Sequence, residues 1–241
     1  MARSSGCAPL LCDHRETCLE TIMSGHGLRR GVSFCAIGER YIFLDLEADR
    51  YFCLPQPLDR QFHRLTETGE AEPPVRQALQ RIGVLSMGHG YPLTACTRRA
   101  AITASAQAQD GASASVPLGT ARALANRSLW NRRVRTRALA ANIADVIRKR
   151  ENLQPARDAA AALQGVASAY RHAGLIRSTR GRCLPTSMAL MSDLAKAGVC
   201  ARMVMGVQLG PFSAHCWVEV GSGLVCEDAG TVAPYVPILV V

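Results

Sequence analysis

Residues 100–120 read AAITASAQAQDGASASVPLGT, a run rich in Ala, Ser and Gly with a single charge, Asp110. A stretch of that composition has little apolar surface to bury and behaves as a flexible connector. It divides the chain of 241 residues into a front part of short β-rich runs and a rear part of longer helical periods. With 48% hydrophobic residues, each part has material for its own core. The expected organisation is α+β in two domains. Residues 23–99 form a small front domain, 100–118 a linker and 119–241 the larger rear domain. Residues 1–22 are mixed and Cys-rich without periodicity; they carry no assigned structure, and Met23 is an alternative start.

The front domain opens with GVSFCAI, a turn at Gly38-Glu39-Arg40, YIFLDL, a turn over 47–50 and YFCLP. Three short β-rich runs separated by turns of this length predict a meander. Pro55 and Pro57 stop the third run. The segment LDRQFHRLTETG then spaces Leu58, Phe62 and Leu65 as one helical face closed by Gly69. A second helix carries Val75, Leu79 and Ile82 and ends at Gly83. Three strands plus short helices make a winged-helix-like unit.

The rear domain begins with basic helical sequence: residues 121–150 hold nine Arg or Lys against one acid, Asp145. Trp130 is the only aromatic there, and single-strand binders interleave several, so the stripe reads as a solvated helix face rather than a nucleic-acid site. An Ala-rich helix over 155–171 follows, then a helix over 183–198 and strands over 200–207, 214–220 and 224–228. The ten cysteines include no CxxC pair, which argues against a redox motif or a zinc ribbon. The first residues lack the apolar run of a signal peptide, and no stretch approaches the length of a membrane span. The expectation is a cytoplasmic protein with reduced thiols and no stable membrane insertion.

Chemistry concentrates in the last seventy residues. Cys183, in RCLPTS, starts a helix with Pro185 in its first turn, where unpaired backbone N–H groups and the positive dipole end favour a thiolate. His215, in AHCWVEV, heads a strand whose alternation puts His215, Trp217 and Glu219 on one face and Cys216, Val218 and Val220 on the other. Gly221-Ser222-Gly223 reads as a hairpin turn that returns the chain beside His215, near the level of Asp228. Glu227 competes for the same place, and strand parity selects Asp228. The predicted catalytic residues are Cys183, His215 and Asp228: nucleophile, base and the acceptor that orients the base. A zinc site of Cys183, His215, Cys216 and Cys226 is disfavoured because His215 and Cys216 point to opposite faces. No metal and no cofactor is expected.

The combination GRCLPTSMALMSDLAKAGV, MVMGVQLGPFSAHCWVEV and a closing CED resembles the protease half of the lasso peptide maturation B proteins, a branch of the transglutaminase-like cysteine proteases. The likeness covers about residues 165–241. It implies a papain-like fold with helices on an antiparallel sheet, and the roles already given to Cys183, His215 and Asp228. It departs in having Cys216 after the histidine and one extra residue before the aspartate. Residues 31–83, through GERYIFLDLEADRYFCL, are similar to the PqqD-like leader-recognition domain.

The resemblance implies a cysteine peptidase that binds the leader of a precursor peptide as an added edge strand and cuts leader from core before macrocyclisation. It places the docking surface at Tyr51, Phe52, Cys53, Leu54, Val75 and Leu79. The implied partners are the precursor peptide and an ATP-dependent, asparagine-synthetase-like macrocyclase, since this chain has no Walker A loop. The same triad also serves an amidase or acyl transferase, and a non-catalytic peptide-binding role is the third alternative.

Overall fold

The computed structural model describes residues 27–97, 104–106, 116–178 and 181–241. Residues 1–22, the proposed alternative start at Met23 and most of the expected linker lie outside them. The front domain holds strands β1 (Val32–Ile37), β2 (Arg40–Asp45) and β3 (Arg50–Cys53), then helices α1 (Gln56–Thr68) and α2 (Pro73–Ile82). The strands form an antiparallel sheet in the order β1-β2-β3, so one edge of β3 has no strand beside it among the described residues.

This sheet is buried on both faces. On one, Phe34, Phe43 and Leu54 pack with Phe62, Leu65 and Leu79 of the two helices. On the other, Cys35, Ile42, Leu44 and Leu46 join the core of the rear domain, beside Met188, Val207, Cys216 and Ile238. Two-sided burial explains why these strands read as nearly continuous apolar runs instead of alternating apolar with polar residues. The two domains therefore share one core, a feature the linker-based division does not anticipate.

The rear domain comprises β4 (Ala104–Ala106), α3 (Val116–Thr136), α4 (Leu139–Glu151), α5 (Ala159–Ile176), α6 (Cys183–Lys196), β5 (Arg202–Gln208), β6 (Ser213–Val220), β7 (Gly223–Val225), α7 (Ala229–Val232) and β8 (Val236–Val240). Its sheet runs β4-β7-β6-β5-β8. Two strands go beyond expectation. Residues 104–106, assigned to the linker, pair in parallel with β7, and the C-terminal apolar run forms β8 against β5. Helix α6 is buried along most of its length, and its apolar residues pack in the same cluster as residues of α3, α4, α5 and the sheet.

The basic stripe is partly internal. Asp145 pairs with Arg137 at 2.7 Å, with Arg133 at 3.7 Å and with Arg148. Burial pushes its carboxyl up, but the hydrogen bonds and charges of Arg137 and Arg148 outweigh this and hold it below the usual carboxylate range. Trp130 is buried beneath Arg133 and Lys149, whose cations lie 5.2 and 4.9 Å from its ring centre. It offers no stacking platform. Cys200 is disulfide-bonded, contrary to the expectation of reduced thiols, while Cys35, Cys53, Cys96, Cys183, Cys216 and Cys226 are free. Among the described residues, no helix is long and apolar enough to cross a membrane.

Candidate active site

Cys183 is the first residue of α6 and half-buried, at a helix start where the earliest N–H groups lack intrahelical acceptors. One turn later, Ser187 Oγ donates 2.9 Å to the carbonyl of Cys216. That buried bond ties α6 to β6 beside His215. Sequence reasoning passed over Ser187, although its position four residues after Cys183 puts both on one side of the helix.

His215 sits opposite Gly206 across the β5–β6 pair, with Trp217 and Tyr235 at ring distances of 6.0 and 5.3 Å. The predicted alternation holds: Trp217 packs in a cluster with Val204, Leu224 and Val232, while Cys216 and Val218 face the main core. Gly206 is required by close approach. A Cβ there would meet the Trp217 ring at 2.7 Å and the Tyr235 Cβ at 3.0 Å, so any side chain would push aside the rings that pack on His215.

The carboxylate beside His215 is not the expected one. His215 Nε2 lies 3.1 Å from Glu227 Oε2, and Asp228 instead caps α7, its carbonyl accepting from Thr231 and Val232. The cause is local. The β6–β7 hairpin pairs Val220 with Gly223, a register that, if continued, would set Asp228 opposite His215. The ladder instead ends at Val225, and Cys226 adopts a left-handed conformation with φ 58°, so strand alternation no longer governs the residues that follow.

With Nε2 engaged by Glu227, Nδ1 is the ring nitrogen left to face Cys183. Burial pushes the Cys183 thiol up, but the His215 hydrogen bond and charge, with backbone N–H groups of Cys216 and Leu184, bring it below its ordinary value. The same contacts, led by Cys183 and then Glu227, raise His215 to about 9. The two shifts have one cause, and both favour the thiolate–imidazolium form of the pair. By contrast, burial pushes Cys35 and Cys226 up to about 12 and raises Cys216 further.

The trio lines a cleft of about 890 Å³ whose walls also include Tyr170, His172, Leu175, Leu190, Trp217, Val225 and Thr231. That volume falls in the range of sites that enclose most of a bound ligand. Among the described residues, no three of His, Cys, Asp or Glu are grouped so as to hold a metal ion.

Residues 124–240 match the family model of the transglutaminase-like superfamily. This stretch, just under half of the chain, is thus similar to a transglutaminase-like domain. Superfamily members are typically Cys-His-Asp enzymes, so the domain is consistent with a cysteine peptidase or an acyltransferase; in this chain the carboxylate against His215 is that of Glu227. No curated protein and no solved structure matches the chain.

The predicted peptide-docking residues separate into distinct environments. Leu79 and Leu54 are core residues at 0% and 1% exposure, so neither side chain is available to a ligand. Val75 is half-buried against the same core. Phe52 stacks on Phe43 at 5.2 Å, the Arg50 guanidinium lies over the Phe52 ring 5.0 Å from its centre, and Cys53 is exposed. Tyr51 points to the rear domain, its ring 5.5 Å from Phe212 on the β5–β6 connection. Burial, followed by the charges at Cys216 and Cys183, raises its phenol.

Proposed function

We propose that this protein is a cysteine peptidase that removes the leader from a ribosomally made lasso peptide precursor, with Cys183, His215 and Glu227 as its catalytic residues. The Cys183 thiolate attacks the scissile carbonyl, and N–H groups at the start of α6 stabilise the oxyanion. The His215 imidazolium then donates its proton to the departing amine of the core. A thioester to the leader remains. Neutral His215 next takes a proton from water, the resulting hydroxide attacks the thioester, and Cys183 leaves as thiolate. Glu227 holds the imidazole in the working orientation throughout.

The observation that carries the substrate assignment is the shared core of the two domains, against which both Tyr51 of β3 and Cys183 pack, with the Tyr51 ring against Phe212. A strand added along the free edge of β3 has backbone N–H and C=O groups to pair with, which gives affinity to an extended peptide of varied sequence. A small-molecule amidase has no use for such an edge. The released core passes to an ATP-dependent, asparagine-synthetase-like macrocyclase. The test uses the peptide encoded by the short open reading frame beside the gene. With it, hydrogen exchange at the amides of Arg50–Cys53 is expected to slow, and two fragments are expected by mass. An intact peptide and unchanged exchange in β3 would overturn the proposal.

A further inference from the structure

Beside the catalytic cleft lies a second, smaller cavity lined by Arg127, Asn131, Arg177, Arg182, Pro185 and Thr186. Thr186, one turn into the nucleophile helix, belongs to both walls, and Arg182 directly precedes Cys183. Three arginines and no carboxylate make this lining. Arg127 is 5% exposed; one of its terminal nitrogens donates to the carbonyls of Arg177 and Ser178 at 2.9 and 3.2 Å, while Nη1 is buried without a hydrogen-bond partner. Arg177 is exposed and donates to Ser128 Oγ at 3.0 Å. The half-buried Arg182 side chain makes no hydrogen bond or ion pair with another described residue.

Burying a guanidinium beside two further cations, with a donor unmet and no acid in the wall, is unfavourable until an anion arrives. Guanidinium groups match a planar carboxylate in particular. The start of α6 adds its own attraction for negative charge. The cavity measures about 10 Å³, room for one carboxylate oxygen with the rest of the group held at the opening by Arg177 and Arg182. Burial, more than the neighbouring Arg177 and Arg182, lowers the pKa of Arg127, in keeping with a site that lacks its counter-charge.

We infer that this cavity is a substrate subsite that accepts a carboxylate close to the carbonyl attacked by Cys183, and so selects acidic peptides. The inference rests on Cys183 as nucleophile but not on lasso precursor cleavage, so the two fail separately. Alkylation of Cys183 by iodoacetate and by its neutral analogue iodoacetamide tests it on the whole protein. Iodoacetate kinetics are expected to saturate with concentration and iodoacetamide kinetics to remain linear. The iodoacetate-to-iodoacetamide rate ratio is expected to fall about threefold or more in Arg177→Gln and in Arg182→Gln. Arg132→Gln, which removes the same charge from an exposed position of α3, should leave the ratio within about 1.5-fold. Arg127→Gln removes contacts that hold the chain at Arg177, so a variant that fails to fold is set aside and the Arg177 and Arg182 variants decide. Non-saturating iodoacetate kinetics, an unchanged ratio in both variants, or an equal fall in the control would overturn the inference.

Discussion

Replacing Glu227 by Gln keeps the shape of the side chain and removes the charge that faces the His215 imidazolium. The pair is 3.1 Å apart, with side chains 16% and 26% exposed, so water screens it less than a surface ion pair. A hydrogen bond to a charged group at such a site contributes about 1.5 to 3 kcal/mol. Its loss lowers the cleavage rate by about one to two powers of ten. Glu227 is also the second contributor to the raised His215 pKa of about 9, so the alkaline limb of the rate profile should move to lower pH in the mutant. Rates of peptide cleavage and of Cys183 alkylation, both followed against pH, read the two effects. Asp228→Asn is the control and should stay within about twofold, since the Asp228 side chain makes no capping bond to α7. A larger loss in Asp228→Asn than in Glu227→Gln would refute the reasoning.

Further outcomes follow from the same geometry. In the wild type, alkylation of Cys183 should continue well below the pH expected of a free thiol, while Cys35, Cys216 and Cys226, pushed up by burial, should label slowly; mass mapping after brief iodoacetamide treatment checks the order. Gly206→Ala should cost about 1 to 3 kcal/mol in a denaturant titration and lower the thiol reactivity by disturbing the rings that pack on His215. Ser187→Ala should cost about 1 to 3 kcal/mol by leaving the buried Cys216 carbonyl without its donor, measured the same way. A fragment beginning at residue 116 should melt lower than the whole chain, because it exposes the surface that Cys35, Ile42, Leu44 and Leu46 cover; an equal melting temperature would contradict the shared core.

Much of the site was legible because its parts announce themselves locally. A cysteine before a Pro-containing helix start and a histidine at the head of an alternating strand are features of short stretches, and both lie where their stretches place them. Glu227 is not selected because its position depends on the ladder stopping at Val225 and on a left-handed residue at Cys226. Neither leaves a periodic signal. Front-domain elements were visible through turns and helical spacing, yet the apolar residues facing outward from its sheet read as ordinary strand interior. Ile42 and Leu44 flank Phe43 on β2 and bury against the other domain, a contact between segments far apart in sequence that no local pattern encodes. The docking residues Leu54 and Leu79 failed for the related reason that an apolar side chain suited to a peptide is equally suited to a core.

The central claim is that Cys183 forms a thioester with the leader half of a bound precursor. Mixing the whole protein with the precursor peptide, quenching in acid within the first turnover and weighing the intact protein measures this directly. The predicted result is an adduct equal in mass to the leader acyl group, mapped to Cys183 and absent from Cys183→Ser. Cleavage of the precursor without that adduct, or at an equal rate by Cys183→Ser, would contradict it.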